Sequence, residues 1–385
     1  MSTTVFDFAI TGAGAAGLNL AMAMLEDPYF KDKRILILEK EEKNVNDKTW
    51  CYWEKGEGKW DELLHKKWQN GIVHTGKKKI QLHLEDYTYK MLRSLDFYNY
   101  ALQKLKSSSI FYWVKTEVLE IQNQADKAVI KTSDENYLAK HVFDSRMEAN
   151  LDEVSKSNTV LQHFRGWFIE TEKAIFEPNS FMMMDFRLTW QNTTSFTYIL
   201  PFTERSALVE FTFFSPDLVE DTVYNSMIQE YIEKIIQPEN FKILKEEDGI
   251  IPMSDYQFHR ANKSQITRIG TAGGWVKPSS GYSFKNAEYF SKRIIDNIKQ
   301  GKNPAKELFS IKHRYYDSLF LNILKNRNHL GPELFSRMYR NNSASEIFRF
   351  LDEKTTLAED LKIMAGFPPL LFMNAMWKNF MAKKL

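Results

Sequence analysis

A single cysteine, Cys51, in 385 residues has no partner for an internal disulfide, and a chain so poor in thiols suits a reducing compartment such as the cytoplasm. Cys51 itself reads as a small, half-buried side chain. Long hydrophobic runs are missing too. Mean hydropathy is −0.45, and no apolar stretch approaches the roughly 18 to 20 residues of a membrane span, so an integral membrane protein is not expected. The fold-forming pattern begins at Phe6, leaving no room for the charged and apolar regions of an export signal, and none is expected. Excess charge of one sign is also absent: 52 basic residues face 50 acidic ones, a net +2, which gives no global reason to bind nucleic acid. His163 and His259 have no companions at ligand spacing, so no metal site is expected. No internal repeat, low-complexity stretch or linker stands out.

What the chain does have is length and aromatics. At 45.3 kDa it exceeds one average domain, and two interleaved domains are the natural expectation. Phe, Trp and Tyr make up 14% of the residues. That excess fits either a large apolar substrate or core packing.

The clearest motif lies near the start. Val5, Phe6, Phe8, Ala9 and Ile10 form the apolar run of a buried parallel strand, and it ends in Gly12-Ala13-Gly14-Ala15-Ala16-Gly17. This G-x-G-x-x-G precedes a helix-forming stretch, 18–25, that meets no breaker before Pro28. Gly12 allows the tight turn, Gly14 lets a pyrophosphate approach backbone N–H groups, and Gly17 lets the helix sit close to the sheet. The phosphates would lie at the positive end of that helix. A second strand, 34–40, brings Glu39 to 22 positions beyond Gly17, where an acid that bonds a ribose hydroxyl is expected, with Lys40 beside it. An acid there favours an unphosphorylated adenosine ribose, as in FAD or NAD.

Farther along, the polar 41–48 and the aromatic Thr49-Trp50-Cys51-Tyr52-Trp53 suggest a loop returning to a pocket. Leu92, Leu95, Tyr98, Leu102 and Leu105 predict an amphipathic helix over 89–105. A strand pair over 111–131, broken at 123–126, and a strand over 139–146 read as an excursion that returns to the dinucleotide domain. From 162 to 215 the pattern is all-β, with strands at 163–170, 181–188, 195–202 and 207–214, the last two forming a hairpin. The stretch 217–236 is helical. A second glycine-rich strand-to-helix junction, GTAGGWVKPSSGYSF at 270–284, leads into a helix from about Phe284. The remainder is mostly helical.

Two glycine junctions far apart, with an antiparallel sheet between them, suit FAD better than NAD. The layout resembles the flavin-dependent hydroxylase architecture, but that family has Gly-Asp at the second junction, and here Thr271 follows Gly270. The wording of the second junction instead resembles lycopene β-cyclases of the bacterial type. So do Lys48-Thr49-Trp50, Phe164-Arg165-Gly166-Trp167, Met184-Asp185-Phe186-Arg187, Tyr198-Ile199-Leu200-Pro201-Phe202 and Ala207-Leu208-Val209-Glu210. The first glycine motif is shared by many flavoproteins. The Leu-Pro-Phe hairpin with Leu-Val-Glu, and Lys-Pro-Ser-Ser-Gly-Tyr, are specific to the cyclases, and the resemblance covers nearly the whole chain.

The fold expected is α/β: a discontinuous Rossmann-type FAD-binding domain (1–45, 100–150, 245–300), an inserted antiparallel substrate domain (46–99, 151–244) and a helical C-terminal region (301–385). The resemblance implies non-redox cyclisation of lycopene or another acyclic carotenoid to β-rings (γ-carotene, β-carotene). It implies reduced FAD, with NAD(P)H as electron donor, and Glu210 as the catalytic acid. The expected cofactor site comprises Gly12, Ala13, Gly14, Ala15, Ala16, Gly17, Glu39 and Lys40, with Gly270, Gly274, Pro278, Ser280, Gly281 and Tyr282 from the second junction. A redox flavoenzyme on the same architecture, a hydroxylase or a prenyl-chain reductase, is the alternative.

Alternation along 207–214 places Leu208, Glu210, Thr212 and Phe214 on one face and Val209, Phe211 and Phe213 on the other. A carboxyl among apolar neighbours has its pKa raised by desolvation, although the strand pattern alone favours a carboxylate on a wet face, and it is the motif match that reverses this. Asp185 and Glu204 are rival acids: Asp185 suits an ion pair with Arg187 as well as catalysis, and Glu204 lies in a turn. Tyr198, Phe196 and Trp167 could lend cation–π support or simply pack, and a helix start near 281–284 would favour an anionic flavin. A C40 hydrocarbon must be drawn from a bilayer, so the apolar segment 367–373, with Lys378, Lys383 and Lys384 nearby, is expected to dock at a membrane surface without crossing it.

Overall fold

The computed structural model describes residues 4–147, 154 and 157–382. The expected domain break between 150 and 151 and the lysines Lys383 and Lys384 lie outside the described residues. A mixed seven-stranded sheet begins with the β-α-β unit read from the sequence: strand Val5–Thr11, helix Ala15–Glu26 and strand Ile35–Glu39. Strands Phe111–Lys115, Ile35–Glu39, Val5–Thr11, Asn136–Asp144 and Ile266–Arg268 run parallel, and Ala128–Thr132 and Val118–Asn123 complete the sheet as an antiparallel edge. Ile10, Leu36, Ile37 and Leu38 are fully buried because both faces are covered. Gly17 is dictated by packing. A Cβ there would stand 2.0 Å from the Gly12 carbonyl oxygen, so the helix could not lie against the turn.

The second sheet has the order Phe241–Ser254, Thr159–Thr171, Ser206–Ser215, Thr194–Pro201, Ser180–Asp185, Asn70–His74, Lys79–His83. It is antiparallel except where Ser180–Asp185 pairs with Asn70–His74. The alternation read for the hairpin holds. Val209, Phe211 and Phe213 pack on helix Asp221–Tyr231 behind the sheet, while Leu208 and Phe214 join the C-terminal helices on the front. Each fully buried side chain of this size contributes about 1.5–3 kcal/mol.

Four local expectations change. Residues 89–93 of the predicted helix belong to a strand, Tyr87–Arg93, and the helix is Ser94–Lys106. The aromatic stretch after Lys48 is not a loop but the strand Thr49–Lys55, paired with Tyr87–Arg93 in a small sheet with Lys66–Trp68. The predicted pair over 111–131 is three strands, with the hairpin made by the last two. The expected break at 244/245 falls inside Phe241–Ser254, which is hydrogen-bonded along Thr159–Thr171 over its whole length.

Helices Ile311–Asn326, Gly331–Asn341, Ala344–Leu351, Leu357–Ala365 and Pro369–Ala382 roof the front face of the antiparallel sheet. Two contacts hold the roof. Trp53 stacks on Phe348, with ring centroids 4.5 Å apart, and its Nε1 donates to Asp352 at 2.8 Å. Lys277, in the second glycine junction, is buried and donates to Asp317 and Glu353, each at 2.9 Å. These opposing carboxylates outweigh burial and hold its ammonium above the usual lysine pKa.

Candidate active site

Between the mixed sheet, the front of the antiparallel sheet and the helical roof lies a cavity of about 540 Å³. At the first glycine junction it is lined by Gly14, Ala15, Ala16 and Gly17. Helix Ala15–Glu26 carries no side-chain cap and no acid in its first turn, so the positive end of its dipole is left unneutralised toward the cavity. A Cβ on Gly14 would meet no protein atom within 4 Å. The space beside that backbone is open, as a pyrophosphate requires.

The second junction contributes Gly270, Ser280, Gly281 and Tyr282, and the N-cap Ser283 and first residue Phe284 of helix Phe284–Lys299. The side-chain oxygens of Ser279 and Ser280 are buried, line the cavity and have no protein partner. Buried hydroxyls are ordinarily hydrogen-bonded, so these two suit a polar ligand. Both expected junctions thus meet in one space, and the residues fit a dinucleotide whose far end reaches the second junction.

Not every expected residue lines the cavity. Gly12, Ala13, Gly274 and Pro278 shape the turns behind it. Glu39 stands at the first turn, where its Oε2 accepts from the Ala13 N–H at 2.6 Å and its Oε1 from the Glu41 N–H at 2.9 Å. Lys40 points away: it is exposed and 3.9 Å from Glu117. Lys43, 3.4 Å from Glu39, lines the cavity instead, as does Lys48. The reason is that the chain bends after the strand, with Lys43 in a left-handed conformation at φ 54°.

Glu210 faces the cavity, 7% exposed. Its neighbours across the sheet are Tyr198 on one side and Gly166 on the other. Thr212 Oγ1 donates to Glu210 Oε1 at 2.6 Å. Burial, and secondarily the charge of Glu247, push the Glu210 pKa up to about 8, so the group is protonated at neutral pH. The wet-face alternative is therefore set aside.

The rival acids lie elsewhere. Asp185 is fully buried, but it is paired with Arg187 and accepts from the Tyr231 hydroxyl at 2.5 Å, outside the cavity lining. Glu204 is exposed in the turn between the hairpin strands. For Trp167 the packing alternative holds. Gly166 takes the cavity-facing position, so Trp167 turns to the rear cluster, and only Phe196 and Tyr198 of the three aromatics line the cavity.

Three phenols connect the hairpin to the second junction. Tyr89 Oη lies 2.8 Å from Tyr198 Oη and 2.9 Å from Tyr282 Oη. Burial pushes all three up, so they stay neutral. Cys51 lies at the same wall, its thiol pushed up to about 12 by burial.

Sequence reasoning missed Glu247. It is half-buried, lines the cavity, and sits opposite Gly166 on the rung that also holds Glu210 and Tyr198. Thr49 Oγ1 donates to its Oε2 at 2.8 Å. Its strand is a polar edge, Lys-Glu-Glu-Asp-Gly, with little apolar alternation. The available signal was the run Ile250-Ile251-Pro252-Met253, which marks the same strand.

The lycopene cyclase protein family model matches residues 7–377. Comparison with curated proteins found no match. Among solved structures, a geranylgeranyl bacteriochlorophyll reductase-like protein from Thermoplasma acidophilum aligns at 12% identity, covering 96% of this chain and 98% of that one, with a TM-score of 0.58. The flavin-dependent brominase Bmp2 aligns at 13% over 98% and 99%, with a TM-score of 0.59. A flavoprotein/dehydrogenase from Cytophaga hutchinsonii aligns at 11% over 94% and 100%, also at 0.59. At such identities the likeness conveys the fold: α/β, with mixed sheets and a helical C-terminal region.

A valine at Gly14 should fold normally, because no protein atom obstructs it, yet its side chain would occupy the space beside the helix start. Gly14→Val is expected to lower the flavin-to-protein ratio of the purified protein at least tenfold, while the flavin-free forms of variant and wild type keep the same thermal midpoint. Wild-type flavin content in the variant would contradict the assignment of this turn.

Proposed function

This chain belongs to the lycopene cyclase protein family, residues 7–377 matching its model, and from that premise we propose that it closes the acyclic ends of lycopene to β-rings by acid catalysis without net redox change. The observation that carries the reading is a buried carboxyl, Glu210, facing an aromatic cavity that both glycine junctions also line, where burial raises its pKa.

An isolated alkene is a weak base, so its proton donor must be protonated, near and shielded from water. Glu210 has those properties. Its proton goes to C2 of the terminal isoprene unit and leaves a tertiary cation at C1. The C5–C6 double bond attacks C1 and closes the ring. Loss of the C6 proton then forms the C5–C6 double bond of the β-ring. Phe196 and Tyr198 flank Glu210 on the neighbouring strand and offer neutral π-faces to the cation. Leu200, Leu208 and Phe214 exclude water around it.

Gly14, Ala15, Ala16, Gly17 and Glu39 would hold the adenosine and pyrophosphate of FAD, and Gly270, Ser280, Gly281 and Tyr282 its distal half. When bound and reduced from NAD(P)H, the flavin would supply negative charge and π-density beside the cation.

The substrate is a membrane hydrocarbon, and the last helix offers a docking face. Leu370, Met373 and Trp377 are 74%, 61% and 65% exposed. The neighbouring Phe367 and Phe372 turn inward and line the cavity. The expected apolar segment is therefore split between a surface and a channel wall. No described helix is long and apolar enough to cross a membrane, so attachment would be peripheral.

Glu210→Gln keeps the volume but removes the transferable proton. It should abolish cyclisation, with flavin content and folding intact, while Glu204→Gln behaves as wild type. In the wild type the acid form of Glu210 is the active one, so activity should fall as pH rises through about 8. Pigment chromatography of lycopene incubations measures both, and an undiminished Glu210→Gln rate would overturn the acid assignment. For membrane docking, the protein should float with lycopene-containing vesicles, and Leu370→Asp with Met373→Asp should release it at unchanged flavin content. Flotation unaffected by the double substitution would remove this helix from the interface.

A further inference from the structure

Tyr198, Glu210, Gly166 and Glu247 occupy one rung across four adjacent strands. Side chains in register on one rung share a face, and Glu210 and Glu247 both line the cavity. Gly166 stands between them. A Cβ there would lie 3.3 Å from Glu210 Cβ and 2.7 Å from Leu208 Cδ1, so the glycine keeps open the gap that the two carboxyls border.

We propose that Glu247 is the general base of this reaction, receiving the proton that C6 releases after Glu210 has delivered one to C2. The inference rests on the cyclase reading and assigns a step that reading leaves without a residue.

The two carboxyls differ in their surroundings. Glu210 sits among Leu208, Phe214 and Tyr198, with the Thr212 hydroxyl as its hydrogen-bond donor. Glu247 is closer to solvent and accepts from Thr49; burial, the largest influence, with the nearby Asp248, holds its pKa above the ordinary carboxylate value, while the Thr49 hydroxyl, Lys245 and Lys48 favour its charged form. Cys51 and Tyr282 also face the pair, and burial keeps both uncharged. Environments that separate two carboxyls in this way assign one as acid and the other as base.

The step balances. One proton leaves Glu210 for C2. The C5–C6 π pair becomes the C1–C6 bond, and the C6–H pair becomes the new C5–C6 double bond as that proton passes to Glu247. Glu247 then releases its proton to solvent and Glu210 regains one, so no oxidant or reductant is consumed.

In the flavin-loaded enzyme this predicts a bell-shaped pH profile, with the alkaline limb set by Glu210 and the acidic limb by Glu247, as macroscopic values of a coupled pair. Glu247→Gln should lower kcat by on the order of 10²- to 10⁴-fold, leave KM and flavin content unchanged and remove the acidic limb. A kcat within twofold of wild type, or an acidic limb that persists, overturns the proposal. Should Glu247→Gln lose flavin or fail to fold, Thr49→Val decides instead. Removing the hydroxyl that stabilises the Glu247 carboxylate should move the acidic limb to higher pH, and an unmoved limb overturns the proposal. Glu210→Gln separates the two levels: its full activity would fell the cyclase reading, whereas an inactive Glu210→Gln beside an unaffected Glu247→Gln would fell only the base.

Discussion

Desolvation of one carboxyl organises the functional half of this molecule. To keep Glu210 protonated, the fold must surround it with apolar and neutral groups and keep water out. That requires a sheet with an apolar front face, a helical roof over it and phenols held uncharged around it. The same carboxyl on an exposed strand would ionise near pH 4 and could not protonate an alkene. In the proposed reading the roof is therefore part of the acid's chemistry. Trp53 against Phe348 and the buried Lys277 bridging Asp317 and Glu353 are what fasten it. Lys277 lies in the segment that also forms the second glycine junction, so closing the roof and shaping the cofactor site depend on the same residues. Removing one partner of such a buried ion pair typically destabilises by about 3–5 kcal/mol.

The β-α-β unit and the hairpin were legible because their signals are local. Gly17 is required by its close approach to the Gly12 carbonyl, Gly12 by a turn with φ of +100°, and Gly14 leaves the space beside the helix start open, while Glu39 follows at a spacing set by one helix and one turn. Strict alternation along 207–214 determined which side chains face forward, and Leu208, Glu210, Thr212 and Phe214 do line the cavity. What was illegible depends on partners distant in sequence. Residues 89–93 open the stretch in which Leu92, Leu95, Tyr98, Leu102 and Leu105 fall near helical spacing, but pairing of Tyr87–Arg93 with Thr49–Lys55 and Lys66–Trp68 outweighs that local pattern. Strand Phe241–Ser254 is a sheet edge on which exposed Ile243, Leu244 and Ile250 mix with exposed Lys242, Lys245 and Glu246, so no clean alternation marks it and Glu247 went unread. Lys40 and Lys43 exchange roles because the direction of a side chain after a strand is set by the turn, which residue spacing does not specify.

Gly166 illustrates how the cofactor-binding and acid-bearing parts constrain each other. It occurs in a strand, where glycine weakens pairing, and packing explains it: any side chain would strike Leu208 and fill the space between Glu210 and Glu247. The strand that carries Gly166 also carries Gln162, whose Oε1 would lie 2.0 Å from a Cβ on Gly281 in the second junction. One strand thus fits closely against both the acid and the expected flavin site, and the chemistry read for each depends on their sharing a single cavity.

The central claim is that a proton exchangeable with solvent moves from a protein carboxyl to C2 and that no electrons are consumed. Cyclisation of unlabelled lycopene in deuterated buffer, with the product analysed by mass spectrometry and NMR, tests it most directly. The account requires one deuterium per β-ring, located at C2, with nicotinamide oxidation not scaling with rings formed. Rings without deuterium at C2, or one nicotinamide oxidised for each ring, would contradict it.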